Sequence, residues 1–343
     1  MTSVSIADHA QTFAAAPAFA VYFPLRIQME QKGFSRRSFI RNFSSFAAAC
    51  IVCGDTAGQA QQTLHVPWSS GTEPPHNKAP AHATDCHHHI YDSRFPVDPS
   101  AKLRPGNATV SDYRLLQGRL GTTRNVIVQP STYGIDNRCL LDALRQFGRA
   151  TTRGIAVVNT TVSDAELKEL GAAGVCGIRF NLVQTGATTV EMIEPLAKRV
   201  ALMGWHVQVN ATADQILANE AIWNRLPVPV VFDHMGHVSV SAAPAFRLIG
   251  KILQKGKCWV KLSGAYMDSS VGPPTYSDRS AVAAAYIKEA PERLVWGSDW
   301  PHPTTDDKPD DALLFNLLGQ WCHEENVRTR ILVHNPAHLY GFS

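Results

Sequence analysis

Residues 84–90 read Thr84-Asp85-Cys86-His87-His88-His89-Ile90, a short run that closes on histidines. Seven more runs of similar length follow at even spacing: NVIVQP at 125–130, RGIAVVN at 153–159, GIRFNL at 177–182, WHVQVN at 205–210, PVVFDHM at 229–235, CWVKLSG at 258–264 and LVWGSDW at 294–300. They are rich in Val, Ile and aromatic residues, which suit an extended backbone buried on both faces. Between them lie stretches with helix punctuation. Asp136 precedes NRCLLDALRQF and Gly148 follows it. Ser163 and Glu166 are spaced as a capping box, with Gly171 and Gly174 beyond; Thr188 opens a stretch to Met203, before Gly204. Strands alternating with helices imply parallel strands joined by crossovers. Eight such units in about 250 residues predict an α/β fold of the (β/α)8 TIM-barrel type. An open doubly wound sheet would more often carry a Gly-rich phosphate loop after its first strand, and none is present.

The ends of the runs carry the chemistry. They finish on His87 and His89, Gln129 and Ser131, Asn159, Arg179 and Asn181, Gln208 and Asn210, Asp233 and His234, Ser263, and Asp299. In a barrel these ends converge on one mouth. Polar side chains gathered there without partners would each be costly to bury. Strand alternation predicts His87 and His89 on one face, and Cys86 and His88 on the other. By the same rule Asp85 and Asp233 face outward, as orienting or capping groups. His87, His89, His234 and Asp299 form a set that can hold one divalent ion and its hydroxide. Without metal, the carboxylate can take a proton from water while the imidazoles stabilise an oxyanion. His206 and His302 are open between structural and site roles, and the tryptophans of the runs read as packing.

The segments DCHHHIYD (85–92), VQPSTYGIDNRCLLDAL (128–144), GVCGIRFNL (174–182), GWHVQVN (204–210), FDHMGH (232–237), WVKLSGAY (259–266), RLVWGSDWPHP (293–303) and NPAHLYGF (335–342) together resemble the amidohydrolase superfamily. The likeness is to its branch of 2-pyrone-4,6-dicarboxylate hydrolase and related sugar-lactone and muconolactone lactonases. That resemblance implies a hydrolase that opens a lactone ring with Asp-activated water. Asp299 would be the general base, and His87, His89 and His234 would polarise the carbonyl. Arg179 would bind a substrate carboxylate and Ser131 and Tyr133 would line the pocket, with Asn181 and Asn210 beside them at the strand ends. Some relatives work without metal and others use zinc. Lys261 lies inside the seventh run and no strand end offers a bridging Lys, so the expectation is that no cofactor is required and that at most one ion, zinc, sits on the quartet. The sequence departs from the pyrone dicarboxylate pattern at His237 and Met267, where that pattern has Arg. Losing two guanidinium forks favours a neutral or monoacidic lactone. The same residues could serve a sugar-acid lactone isomerase, or a non-catalytic periplasmic binding protein.

The rest of the chain sets limits. It has 343 residues, 45% hydrophobic and 18% charged, an ordinary globular balance. A net charge of +3 is too weak to imply nucleic acid, and the resemblance implies a small-molecule partner, a lactone or related carboxylic ester. Ser35-Arg36-Arg37-Ser38-Phe39-Ile40, an apolar run from Phe43 to Val52 and small residues to Ala60 resemble a twin-arginine export signal. The run is too short to span a membrane. The expected organisation is therefore a signal segment over 1–60, a linker or strap over 61–82 with Pro67, Pro74, Pro75 and Pro80, and one barrel domain over 83–343 in the periplasm. Cys86, Cys139, Cys176, Cys258 and Cys322 remain after the signal, too widely spaced for a metal motif, and read as buried thiols with at most one disulfide.

Overall fold

The computed structural model describes residues 65–343, apart from Thr185, Ser241 and Ala242. The expected export signal over 1–60 lies outside the described residues. The eight runs form eight strands: β1 (Thr84–His88), β2 (Arg124–Val128), β3 (Thr152–Ala156), β4 (Val175–Asn181), β5 (His206–Asn210), β6 (Val230–Phe232), β7 (Cys258–Leu262) and β8 (Leu294–Trp296). They lie in sequence order, and each pairs in parallel with the next. The ring is nearly closed where the eighth strand returns to the first. There Asp299 N donates to His87 O, and His89 N donates to Trp300 O, both at 2.8 Å. The (β/α)8 barrel read from the spacing is therefore the fold.

The helices follow their punctuation. α1 (Val110–Leu120) starts at a capping box between Thr109 and Asp112. α2 (Arg138–Phe147) ends at Gly148, and α3 (Asp164–Ala173) starts at the Ser163–Glu166 box and ends at Gly174, whose φ of 110° suits glycine. The stretch opened by Thr188 becomes a 3-10 turn and then α4 (Ile193–Ala201).

Apolar side chains pack in two bodies. The larger joins the outward strand residues, such as Ile127, Ile178, Phe232 and Leu262, to the helices. The smaller fills the barrel: Cys86, Val126, Val128, Ile155, Val231, Trp259 and Val295, with Tyr340 and Phe342 of the C-terminal tail. Cys86 belongs to this inner body, against the alternation expected for it. A register shift in the pairing of β1 with β2 between Asp85 and His88 inserts an extra residue, so Cys86 and His87 both point inward. All five described cysteines are free thiols.

Residues 65–82 lie against the barrel as a strap. Trp300 Nε1 donates to Pro67 O at 2.8 Å, and the buried Arg119 of α1 binds Glu73 O, Ser69 Oγ and Ser70 O. No helix among the described residues is long and apolar enough to cross a membrane.

Candidate active site

The four groups singled out at the strand ends meet at one carboxylate oxygen. Asp299 Oδ1 lies 3.4 Å from His87 Nε2, 3.6 Å from His89 Nε2 and 3.8 Å from His234 Nε2. All four side chains are buried. The backbone that delivers them is unusual, with φ at +50° for His234 and +67° for Asp299. Such left-handed residues are rare outside glycine and gather where a site demands them.

Each imidazole is held from behind. His89 Nδ1 lies 2.8 Å from Val128 O. A carbonyl only accepts, so Nδ1 carries the proton and Nε2 turns a lone pair to the site. His234 Nδ1 is 3.0 Å from Ser263 Oγ. His87 Nδ1 lies 3.3 Å from Lys261 Nζ and 3.4 Å from Asp233 Oδ1, while its Nε2 is buried without a hydrogen-bond partner. Tyr266 donates its hydroxyl to the other Asp299 oxygen, Oδ2, at 2.6 Å.

Beneath the site lies a layer of buried charge. Asp233 Oδ2 accepts from Arg179 Nε at 3.2 Å and from Gln208 Nε2 at 3.1 Å, and Lys261 Nζ donates to Gln208 Oε1 at 2.7 Å, 3.5 Å from Asp233 Oδ1. Burial works against the Asp233 charge, but Lys261, His87 and Arg179 hold its carboxyl well below the usual range. Burial lowers Lys261, with Asp233 opposing. It also pushes His89 down to about 4 and lowers His87 and His234, so the imidazoles are neutral near pH 7. Burial pushes Asp299 up, but the Tyr266 hydroxyl that donates to its Oδ2 and the field of the site hold its carboxyl below the usual range.

Asp233 was expected to face outward and instead points into the barrel. Val231 fills the barrel and Phe232 faces the helices, so Asp233 points inward by the period of two, and the left-handed turn at His234 brings the next side chain to the interior as well. Asp85 does face outward: it accepts from Tyr113 Oη of α1, Ser298 Oγ and N, and His87 N, fastening β1 to the eighth strand end.

A cavity opens above Asp299, His89 and His234, and Arg179, Ser131, Asn181 and Asn210 line it. Tyr133, expected in this lining, is not part of it. Its hydroxyl accepts from Asp92 N and donates to Asp92 O, and Tyr91 and Thr132 reach the cavity instead. His302 binds the buried Asp311 and packs edge-on against Tyr266, which places it behind the site. His206 lies against the ring of Tyr340 at the barrel floor. Sequence reasoning gave no site role to Tyr266, to Lys261 or to Gln208, the last named only as a polar strand end. The parity of Lys261 with Trp259 and Ser263 pointed it inward. Tyr266 stands in a loop, where no periodicity fixes direction.

The donor set suits one divalent ion. Zinc bonds of about 2.0–2.1 Å in a tetrahedron separate its ligand atoms by about 3.4 Å, close to the spacings around Asp299 Oδ1. His89 already offers its Nε2 lone pair. His87 does so when Nδ1 donates to Asp233 Oδ1, which otherwise lacks a partner.

A protein-family model described as amidohydrolase matches residues 84–342. The 2-pyrone-4,6-dicarboxylate hydrolase of Comamonas testosteroni is 35% identical over 289 residues, 80% of this chain and 94% of that protein. A D-galactarolactone isomerase of Agrobacterium fabrum is 30% identical over 283 residues, 80% of this chain and 96% of its own. A solved structure of a probable 2-pyrone-4,6-dicarboxylic acid hydrolase of Acinetobacter baumannii, with citric acid bound, superposes with a TM-score of 0.68 at 27% identity, covering 76% of this chain and 100% of that one.

Proposed function

The chain belongs to the amidohydrolase family, and from that premise we propose that it is a hydrolase that opens a lactone ring. The observation that carries this is the meeting of three imidazole Nε2 atoms around one oxygen of the Asp299 carboxylate, within 3.8 Å. A water beside Asp299 gives it a proton as it attacks the lactone carbonyl. The His89 lone pair accepts the other hydrogen of that water and so orients it. His234 receives the Ser263 hydroxyl at Nδ1, and His87 receives Lys261. Both then present Nε2–H to the carbonyl oxygen as it gains charge. When the ring C–O bond breaks, the proton on Asp299 passes to the leaving alkoxide. A divalent ion such as zinc, held by His87, His89, His234 and Asp299, would supply Lewis-acid polarisation at the same place.

Among the described residues Arg179 is the one Arg or Lys in the cavity lining, and the other polar lining residues include Ser131, Asn181 and Asn210. That supports a neutral or monoacidic lactone over a dicarboxylate. The test is turnover of a lactone panel by purified protein in oxygen-18 water. We expect label in the product, and loss of turnover in Asp299→Asn with the fold retained. Full activity in that variant sinks the base assignment. Product without label would mean a lactone isomerase on the same residues.

We also propose that 1–60 is a twin-arginine export signal delivering the enzyme to the periplasm. Cell fractionation of the Arg36→Lys, Arg37→Lys double variant tests this: unchanged export overturns it.

A further inference from the structure

We propose that Asp268 and His237, outside the reacting cluster, set the substrate preference of the pocket through a hydrogen-bond chain that ends on Ser131. The substrate class below rests on the lactone-hydrolase reading; the chain does not. Its links are short. His237 Nδ1 lies 2.9 Å from Asp268 Oδ2, and His237 Nε2 lies 2.8 Å from Asn210 Oδ1. Asn210 Nδ2 donates to Asn181 Oδ1 at 3.1 Å, and Asn181 Nδ2 donates to Ser131 Oγ at 2.8 Å.

Its direction is fixed at both ends. The backbone N–H of Gln184 donates to Asn181 Oδ1 at 3.2 Å, which settles which end of that amide is oxygen. Asn210 must then turn its NH2 toward Asn181 and its oxygen toward His237. Asp268 accepts at the far end, so His237 donates from both ring nitrogens. Burial opposes the Asp268 charge, but the His237 bond and Arg279 keep the carboxyl ionised. Arg279 is fully buried, with Nη2 3.9 Å from Asp268 Oδ2 and Nη1 bonded to Val238 O. It holds the Asp268 end of the chain and the turn that carries His237.

The consequence falls in the cavity. Ser131 Oγ already accepts from Asn181, so its own proton is free to be donated. Ser131 and the donor-only Arg179 both line the cavity. This wall recognises an oxygen acceptor, best a carboxylate or keto oxygen carried on the lactone. A lactone without one leaves those donors unpaired.

The experiment compares a lactone bearing one carboxylate with its parent ring, in wild type, His237→Leu and His237→Gln. For His237→Leu we expect KM for the carboxylated lactone to rise about tenfold, the loss of roughly one hydrogen bond. Its kcat, and KM for the parent ring, should change less than about twofold by the same reasoning. Gln should restore most of the loss, since its N–H reaches the Asn210 oxygen. Equal KM changes on both lactones, a fall confined to kcat, or no rescue by Gln overturns the proposal. If wild type opens neither ring, the lactone reading fails and calorimetric binding of malate, a hydroxy carboxylate, decides the chain. Weaker binding in His237→Leu supports it; equal affinity, or no binding by wild type, overturns it.

Discussion

The Tyr266 hydroxyl donates to Asp299 Oδ2 at 2.6 Å, on the oxygen opposite the one that faces the imidazoles. It therefore fixes the carboxylate plane without occupying the reactive side. We expect Tyr266→Phe to keep its fold and lower kcat by roughly 10- to 100-fold, with KM little changed, as for loss of one hydrogen bond to a charged group. Steady-state kinetics measure this, and an unchanged kcat would show that Tyr266 does not orient the base.

Gly297 leaves room for His87. A Cβ built there would lie 2.6 Å from His87 Cβ and 2.9 Å from its backbone N. The clash is with a strand, so it cannot be relieved by a flexible tip. Gly297→Ala should cost about 1–3 kcal/mol of stability and displace His87 from Asp299, lowering turnover as well. Denaturant unfolding with parallel kinetics would detect both, and a wild-type midpoint contradicts the seam packing described.

Mild acid should destabilise the protein. Burial holds His88 and His206 at about 3 and His89 at about 4. The unfolded chain binds protons at these groups below about pH 6.5, and the native state does not until pH 4 or lower. Their contribution is thus complete above pH 6.5 and lost as pH falls from there. Asp85 acts the other way: burial lifts it to about 6, so the native state gains a proton first. Three histidines outnumber one carboxyl. The net slope is on the order of 1–3 kcal/mol per pH unit. Thermal midpoints should fall steadily from pH 7 to pH 5, and a flat or rising profile would refute the buried neutral imidazoles.

Zinc offers a separate check on the quartet. A ligand that binds only the native state raises the unfolding midpoint, by about 2.7 kcal/mol at a hundredfold excess over Kd. We expect metal-depleted protein to gain thermal stability with added zinc, and His89→Ala to lose most of that gain. Equal gains in both proteins would place the ion elsewhere.

Lys261 and Asp233 share a fully buried network. Removing one partner of such a pair strands the other charge, at about 3–5 kcal/mol. Lys261→Met should therefore be strongly destabilised, and Lys261→Met with Asp233→Leu less so than the single variant, when both are compared by urea unfolding.

The order of residues alone determined the barrel and the quartet gathered at its mouth. Val- and Ile-rich runs ending on His87, His89, His234 and Asp299 recur at even spacing, and a parallel ring has one mouth where such ends meet. Local periodicity carries that information because strand and helix are local choices. Tertiary structure decided the direction of side chains where the period breaks. The shift in β1 turned Cys86 inward beside His87, and the left-handed turn at His234 brought its imidazole in beside Asp233, which follows Val231 inward. It also decided the partners: Lys261 meets His87 across 174 positions, and Tyr133 spends its hydroxyl on Asp92 and not on the cavity. Such contacts depend on how distant strands close around a common axis, and a one-dimensional pattern holds no record of that distance.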